Sequence, residues 1–282
     1  MSTPATLIAG YTRLKTAAAK SSLMAVALWL GSTAPAHGED LTDVNSIIEK
    51  ANHTAFYQGE DGRAEARMLI VDGQGRKQLR QFTIIRRDVE DNRDQQFLVV
   101  FSRPADVRDT TFLVQKHVGK DDDRWLYLPS LDLVKRIAGG DKRTSFVGSH
   151  FYYEDVSGRQ LSEDLHELKA TTDEHYIVRN KPKNPSSVEF SEYSVWIDKQ
   201  TFMPVKTEYL DTNGKLYRKV EAVEIQSIDG FHTATKMRID DFRSGGYTLN
   251  EMRSIKYNIG VPEEVFTERS LRTPPRQWLE EK

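Results

Sequence analysis

The chain has 282 residues, with 40 Lys and Arg against 42 Asp and Glu, a formal net charge of −2, and no cysteine. That balance argues against a nucleic-acid partner, because a basic surface supplies most of the affinity in such complexes. The missing cysteine excludes disulfides, a thiol nucleophile and a lipid-anchored cysteine behind an export signal, so the fold must rest on its own core.

Residues 1–36 read as a cleaved signal peptide. Arg13, Lys15 and Lys20 form a positive region, the apolar run Leu23 to Leu30 follows, and Ala34-Pro35-Ala36 gives an A-x-A cleavage pattern. The run is too short for a membrane-spanning helix, which needs about 20 apolar residues. Losing the three cations moves the charge from −2 to −5. Residues 37–282 are then expected to form a single exported, soluble domain with no lipid anchor.

One helix is expected next, capped by Asp40 or Thr42, with Val44, Ile47, Ile48, Ala51 and Ala55 at helical spacing. After it the period becomes two. Residues 63–71 and 76–86 flank the turn Asp72-Gly73-Gln74-Gly75, a hairpin signal. Residues 94–102 are apolar on both faces and so need cover on both. Phe112, Val114 and Val118 alternate in the following strand, and Trp125 to Leu128 make another. An aromatic-rich loop comes next, then a helix-like piece at Ser162 to Lys169.

A meander completes the chain: Tyr176 to Asn180, Phe190 to Asp198, Met203 to Leu210, Leu216 to Ile225, Phe231 to Phe242 and Tyr247 to Ile259. In the last strand Tyr247, Leu249, Ile255, Tyr257 and Ile259 are expected on one face. Ten or eleven antiparallel strands with short turns describe a mainly β (α+β) protein built on one large, strongly curved sheet. The basic tail from Arg269 to Lys282 is expected to wrap the surface.

Signals for catalysis are weak. His150 with Glu154 and Asp155 is the best local cluster, with His166 and His175 near in sequence, but no HExxH or H-x-H pattern accompanies them. Asp121-Asp122-Asp123 lacks the spacing of a calcium loop and reads as a solvated turn. The glycines at 73 and 75 sit in a hairpin, not at a strand-to-helix turn that would cradle phosphate. No G-x-S-x-G elbow occurs. The expectation is therefore a protein that is not an enzyme and needs no cofactor or metal.

A bent sheet whose inner face is only partly filled would leave an apolar groove. Phe97, Val99, Phe101, Phe112, Val114, Trp125, Tyr127, Phe146, Val147, Phe151, Tyr153 and Trp196 are the groove and lid candidates. Glu154 and Asp155 are expected in water beside the lid. Lys135 and Arg136 are candidates for contact with a lipid headgroup or an acidic partner.

The segment W-L-Y-L-P (Trp125 to Pro129), K-R-I (Lys135 to Ile137), S-F-V-G-S-x-F-x-Y-E-D (Ser145 to Asp155) and V-W-I-D-K-x-T-F-M-P-V-K (Val195 to Lys206) resembles the outer membrane lipoprotein-sorting family. This is the LolA-like group associated with RND-type, MMPL-like transporters. The resemblance implies a LolA/LolB-like half-barrel of eleven strands, helices covering its concave face, and a cavity for acyl chains. It implies a periplasmic carrier of lipid or lipoprotein between an inner-membrane transporter and the outer membrane. The alternative is a non-enzymatic accessory subunit that binds a transporter's periplasmic domain without carrying lipid.

Overall fold

Period-two patterning dominates the chain, and the computed structural model, which describes residues 40–280, turns it into thirteen strands. The expected signal segment, residues 1–36, lies outside the described residues. The first strands are β1 (Asp61–Val71), β2 (Lys77–Asp88), β3 (Gln95–Arg103), β4 (Thr111–Lys116), β5 (Asp123–Leu128) and β6 (Leu133–Arg136). The second set is β7 (Asp164–Thr171), β8 (His175–Pro182), β9 (Phe190–Asp198), β10 (Pro204–Asp211), β11 (Leu216–Ile228), β12 (Phe231–Asp241) and β13 (Gly246–Tyr257). All join one curved antiparallel sheet in the order β6-β5-β4-β3-β2-β1-β13-β12-β11-β10-β9-β8-β7.

The chain therefore starts in the middle of the sheet, meanders to one edge, crosses to the other edge, and meanders back. The two halves meet where β1 pairs with β13, with Leu69 opposite Leu249. Two hairpins use the same device. Asp72 accepts from the backbone N–H of Gln74 and Arg76, and Asp211 accepts from Asn213 and Lys215. Gly75 and Gly214 supply the positive φ that closes each turn.

Thirteen strands exceed the ten or eleven expected because both edges carry an unforeseen one. β6 is only four residues long. β7 occupies most of the stretch read as helix-like: a 3₁₀ turn at Leu161–Glu163 precedes it, and pairing with β8 extends Asp164–Thr171. Helix propensity yields here to a ladder and to His166, which bridges Asn180 and the Leu161 carbonyl. In β13 the expected single face is split. Tyr247 and Leu249 point away from Thr248, Asn250 and Met252, but a bulge near Ser254 (φ 49°) brings Ile255 and Tyr257 round to the same side as Asn250.

The helix α1 (Val44–Phe56) is capped by Asp43, not by Asp40 or Thr42; its carboxylate accepts from the N–H groups of Asn45 and Ser46. Ile47, Ile48 and Ala51 pack on Tyr176, Val178 and Ile197. Its C-terminal carbonyls are taken up by Arg86, which donates to Phe56, Gln58 and Gly59 oxygens. Beside it the buried Lys116 ammonium lies 5.1 Å from the Phe56 ring centroid and 4.7 Å from that of Tyr57, and donates to Gln95.

β3 is buried on both faces, as its sequence requires. On one side Phe97, Val99 and Phe101 meet β1, β2, β4 and the aromatic loop. On the other, Leu98 and Val100 meet Val261, Val265, Phe266 and Leu271. The tail thus does more than wrap the surface. Its helix α3 (Glu268–Arg272) buries Leu271 completely, and Arg63 donates to the carbonyls of Trp278 and Leu279.

Phe146 packs its ring within 5.3–5.7 Å of the rings of Phe101, Phe112 and Tyr153. Phe146→Ala is expected to cost about 3–5 kcal/mol in urea unfolding; a loss below about 1 kcal/mol would detach the loop from the core. Burial pushes the Lys116 ammonium down to about 8. Between there and its ordinary value near 10.5 the unfolded chain holds the extra proton, so stability rises with pH across that window. The rise amounts to roughly 3 kcal/mol and should vanish in Lys116→Met, as pH-dependent unfolding between 8 and 10 can check. Tyr57 works against it: burial raises its hydroxyl, so above the ordinary value near 10 the folded chain holds the extra proton and stability falls, and the lysine's share is read as the difference between wild type and Lys116→Met.

Candidate functional site

The segment that joins β6 to β7, residues 137–163, determines what the sheet encloses. It carries a β-bridge between Ser145 and Tyr152 and the short helix α2 (Tyr153–Ser157). It is fastened to both halves of the sheet. On the β1–β6 side, Phe146 and Tyr153 enter the aromatic cluster. On the other side, His150 bonds Thr248 of β13 through both its backbone N–H and its ring, and Asp155 pairs with Arg218 of β11. Gly158 meets α1: a Cβ there would stand 2.6 Å from the Phe56 ring, and its φ is +81°. Only glycine fits.

Glu154 and Asp155 are not in water. Glu154 is 2% exposed and pairs with Arg143, Arg159 and Lys142. Burial pushes its carboxyl up, but the three cations outweigh that and hold it below the usual range. Arg143 also grips Glu189 at 2.9 Å, and Arg159 holds Asp164 through two 2.8 Å bonds. Tyr193 and Tyr217 donate to Asp164 and Glu189. The E-D pair is the centre of a buried ionic knot that ties the crossing segment to β7 and to the approaches of β9.

Between this segment, α1 and the sheet lies a cavity of about 450 Å³. One wall is Ile48, Ala51 and Ala55 of α1; a second is Met68, Phe82, Ile84, Phe97 and Val99. A third comes from β8 to β13, including Val178, Ile197, Val220, Ala222, Met237 and Met252. Phe151 and Val156 close one side, where Glu154, Arg159 and Tyr193 supply a polar end. The lining is apolar with few polar groups, the usual make-up of a small-molecule pocket, and its volume lies in the usual range.

Of the groove candidates, Phe97, Val99, Phe146 and Phe151 line this cavity. Phe101, Phe112, Val114 and Tyr153 lie in the packed layer around Phe146, and Val147 (φ 47°) is half-buried against that layer. Trp125 and Tyr127 belong to the opposite face of the sheet, against the tail. Trp196 faces away from Val195 and Ile197 and stacks under the Lys206 ammonium at 3.5 Å. Lys135 and Arg136 are exposed on the edge strand β6, Arg136 paired with Asp123. Sequence reading missed the methionines and Asn250; the Thr248-Asn250-Met252 alternation was the available signal.

The acidic and histidine clusters serve structure. Asp122 is buried, accepting from Arg124 and Ser157, so the triple aspartate is not simply a solvated turn. His150 and Glu154 sit in separate hydrogen-bond networks. Among the described residues no group of three His, Cys, Asp or Glu side chains is placed to hold a metal ion.

A protein-family model described as an uncharacterized protein-like family matches residues 93–273. No curated protein matches the sequence. Solved structures that share the fold include the following three. A DUF1329 family protein from Desulfovibrio piger is 30% identical, with TM-score 0.73 over 81% of this chain and 98% of its own. A domain described as an outer membrane lipoprotein-sorting protein, from Vibrio parahaemolyticus, is 26% identical, with TM-score 0.72 over 80% and 97%. A LolA superfamily protein from Nitrosomonas europaea, at 18% identity and TM-score 0.64 over 81% and 99%, is similar in fold. The likeness to lipoprotein-sorting proteins read from the Trp125–Lys206 motifs thus extends along most of the chain, and on the strength of the Desulfovibrio relative the chain belongs to the DUF1329 family.

Proposed function

We propose that this protein is an exported, periplasmic carrier that holds acyl chains of a lipid or lipoprotein in its cavity. In this reading residues 1–36 are a signal peptide, residues 37–282 are one domain, and the sheet is a half-barrel whose concave face α1 and the crossing segment cover. The observation that carries it is the apolar cavity itself, lined from three sides and provided with a polar end. Burying an acyl tail releases about 0.8 kcal/mol per methylene, on the order of 10 kcal/mol for sixteen carbons before ordering costs. Affinity then needs no reactive group, which agrees with a non-catalytic role.

The similarity to a domain described as outer membrane lipoprotein-sorting supports cargo bound for the outer membrane; in this reading the donor is an inner-membrane transporter of the RND/MMPL type. Lys135 and Arg136, exposed at a sheet edge, would meet a headgroup or an acidic partner. In this reading contact with a membrane is transient; no helix among the described residues is long and apolar enough to cross one.

Protein purified from an envelope extract should release acyl lipid detectable by mass spectrometry. Ala222→Trp, which fills the cavity from β11, should weaken binding of a fluorescent fatty acid at least tenfold while leaving the fold intact by circular dichroism. Unchanged affinity in that variant, with no co-purified lipid, would defeat the carrier reading.

A further inference from the structure

Asn250 stands out in the cavity wall. It is 3% exposed, lies on β13 with its side chain lining the cavity, and its Oδ1 is buried with no hydrogen-bond partner among the described residues. Its directly paired neighbours on β1 and β12 are Met68 and Met237, and Met252 follows on the same face. Thioethers are poor hydrogen-bonding partners. The hydroxyl of Thr248, two residues back, is already engaged with His150.

A buried amide left without partners opposes folding, and native proteins retain very few. At the cavity's polar end Glu154 and Arg159 are satisfied by each other and their ion pairs and Tyr193 by Asp164, and Asn180 of β8, also in the wall, is satisfied by His166. Asn250 Oδ1 is an unpaired buried acceptor in an otherwise methionine-lined stretch of the wall. Methionine side chains reshape readily around a guest, whereas the amide fixes one point of it. The missing partner is a donor.

We infer that the cavity selects an acyl chain carrying a hydroxyl group, which donates to Asn250 Oδ1 and accepts from its Nδ2. The inference rests on the carrier reading and names the chemistry of its cargo. A plain alkyl chain would cover the amide and leave it unpaired, and that difference sets the selectivity.

The test is competitive displacement of a fluorescent fatty acid from the full-length protein. The probes are hexadecanoic acid with 3-hydroxyhexadecanoic acid, and octadecanoic acid with 12-hydroxyoctadecanoic acid. At least one hydroxylated acid should bind roughly 5- to 10-fold tighter than its parent, the worth of one buried hydrogen bond. Asn250→Leu should erase that preference, bringing each hydroxylated acid level with its parent; Asn250→Met serves if the leucine variant misfolds. Parent and hydroxylated acids within twofold of each other in the wild type would overturn the inference, assign the amide to a trapped water, and leave the carrier reading standing. A preference that survives in the variants would overturn it as well. Failure of all four acids to bind would remove the carrier reading and the inference together.

Discussion

The pairing of β1 with β13 is the constraint from which the rest of the structure follows. It seats the first and last strands side by side at the centre of a thirteen-stranded sheet and sends both edges to the middle of the sequence. Laid flat, such a sheet would be roughly 60 Å wide at the usual strand spacing. The connection from β6 to β7 uses much of its length in 3₁₀ turns, a bridge and a short helix. It meets both edges because the sheet bends toward it. The cavity is the space left between that bent sheet, the crossing segment and α1.

The crossing segment is held by two different kinds of interaction, one on each side. Toward β3 and β4 it uses tilted and edge-to-face aromatic contacts of Phe146 and Tyr153 with Phe101 and Phe112, which are apolar and indifferent to pH. Toward β7, β9 and β11 it uses ion pairs: Arg159 with Asp164, Arg143 with Glu189 and Asp155 with Arg218, while Glu154 gathers Lys142, Arg143 and Arg159 within the segment. Buried pairs of this sort fix geometry more than they stabilise, because desolvation offsets most of their attraction. Here they settle where the segment sits over the sheet, and thereby where the polar end of the cavity lies relative to its apolar length.

Much of this was legible in the residues. Alternation and Asp/Gly turns located eleven strands, and the double-sided apolarity of 94–102 correctly called for cover on both faces. What escaped depends on partners distant in sequence. Ser162 to Lys169 carries good helix formers, and only β8 makes Asp164–Thr171 a strand. The facing of Ile255 and Tyr257 turns on a one-residue bulge at Ser254 that no periodicity reveals. Glu154 and Asp155 looked solvent-bound because a loop gives no sign of which charges fold back onto it: Glu154 meets Arg143 and Arg159, eleven and five residues away, and Asp155 meets Arg218, sixty-three away. The candidate site was legible as a composition, aromatic and branched, but not as a surface. Trp125 and Tyr127 proved to face the tail, while Met68, Met237 and Asn250 formed the lining.

The open rims of the sheet have a consequence for association. A rim of unpaired amides and carbonyls is a template on which another chain can add strands, and long flat rims seed aggregates. At one rim, β6 has four residues and ends in Lys135 and Arg136, so a newcomer would find few ladder bonds and two adjacent cations. At the other, β7 breaks register between Leu168 and Ala170, which twists the rim out of line before a second strand could follow it. An unclosed sheet of this size thus offers another copy a short flank on one side and an irregular one on the other.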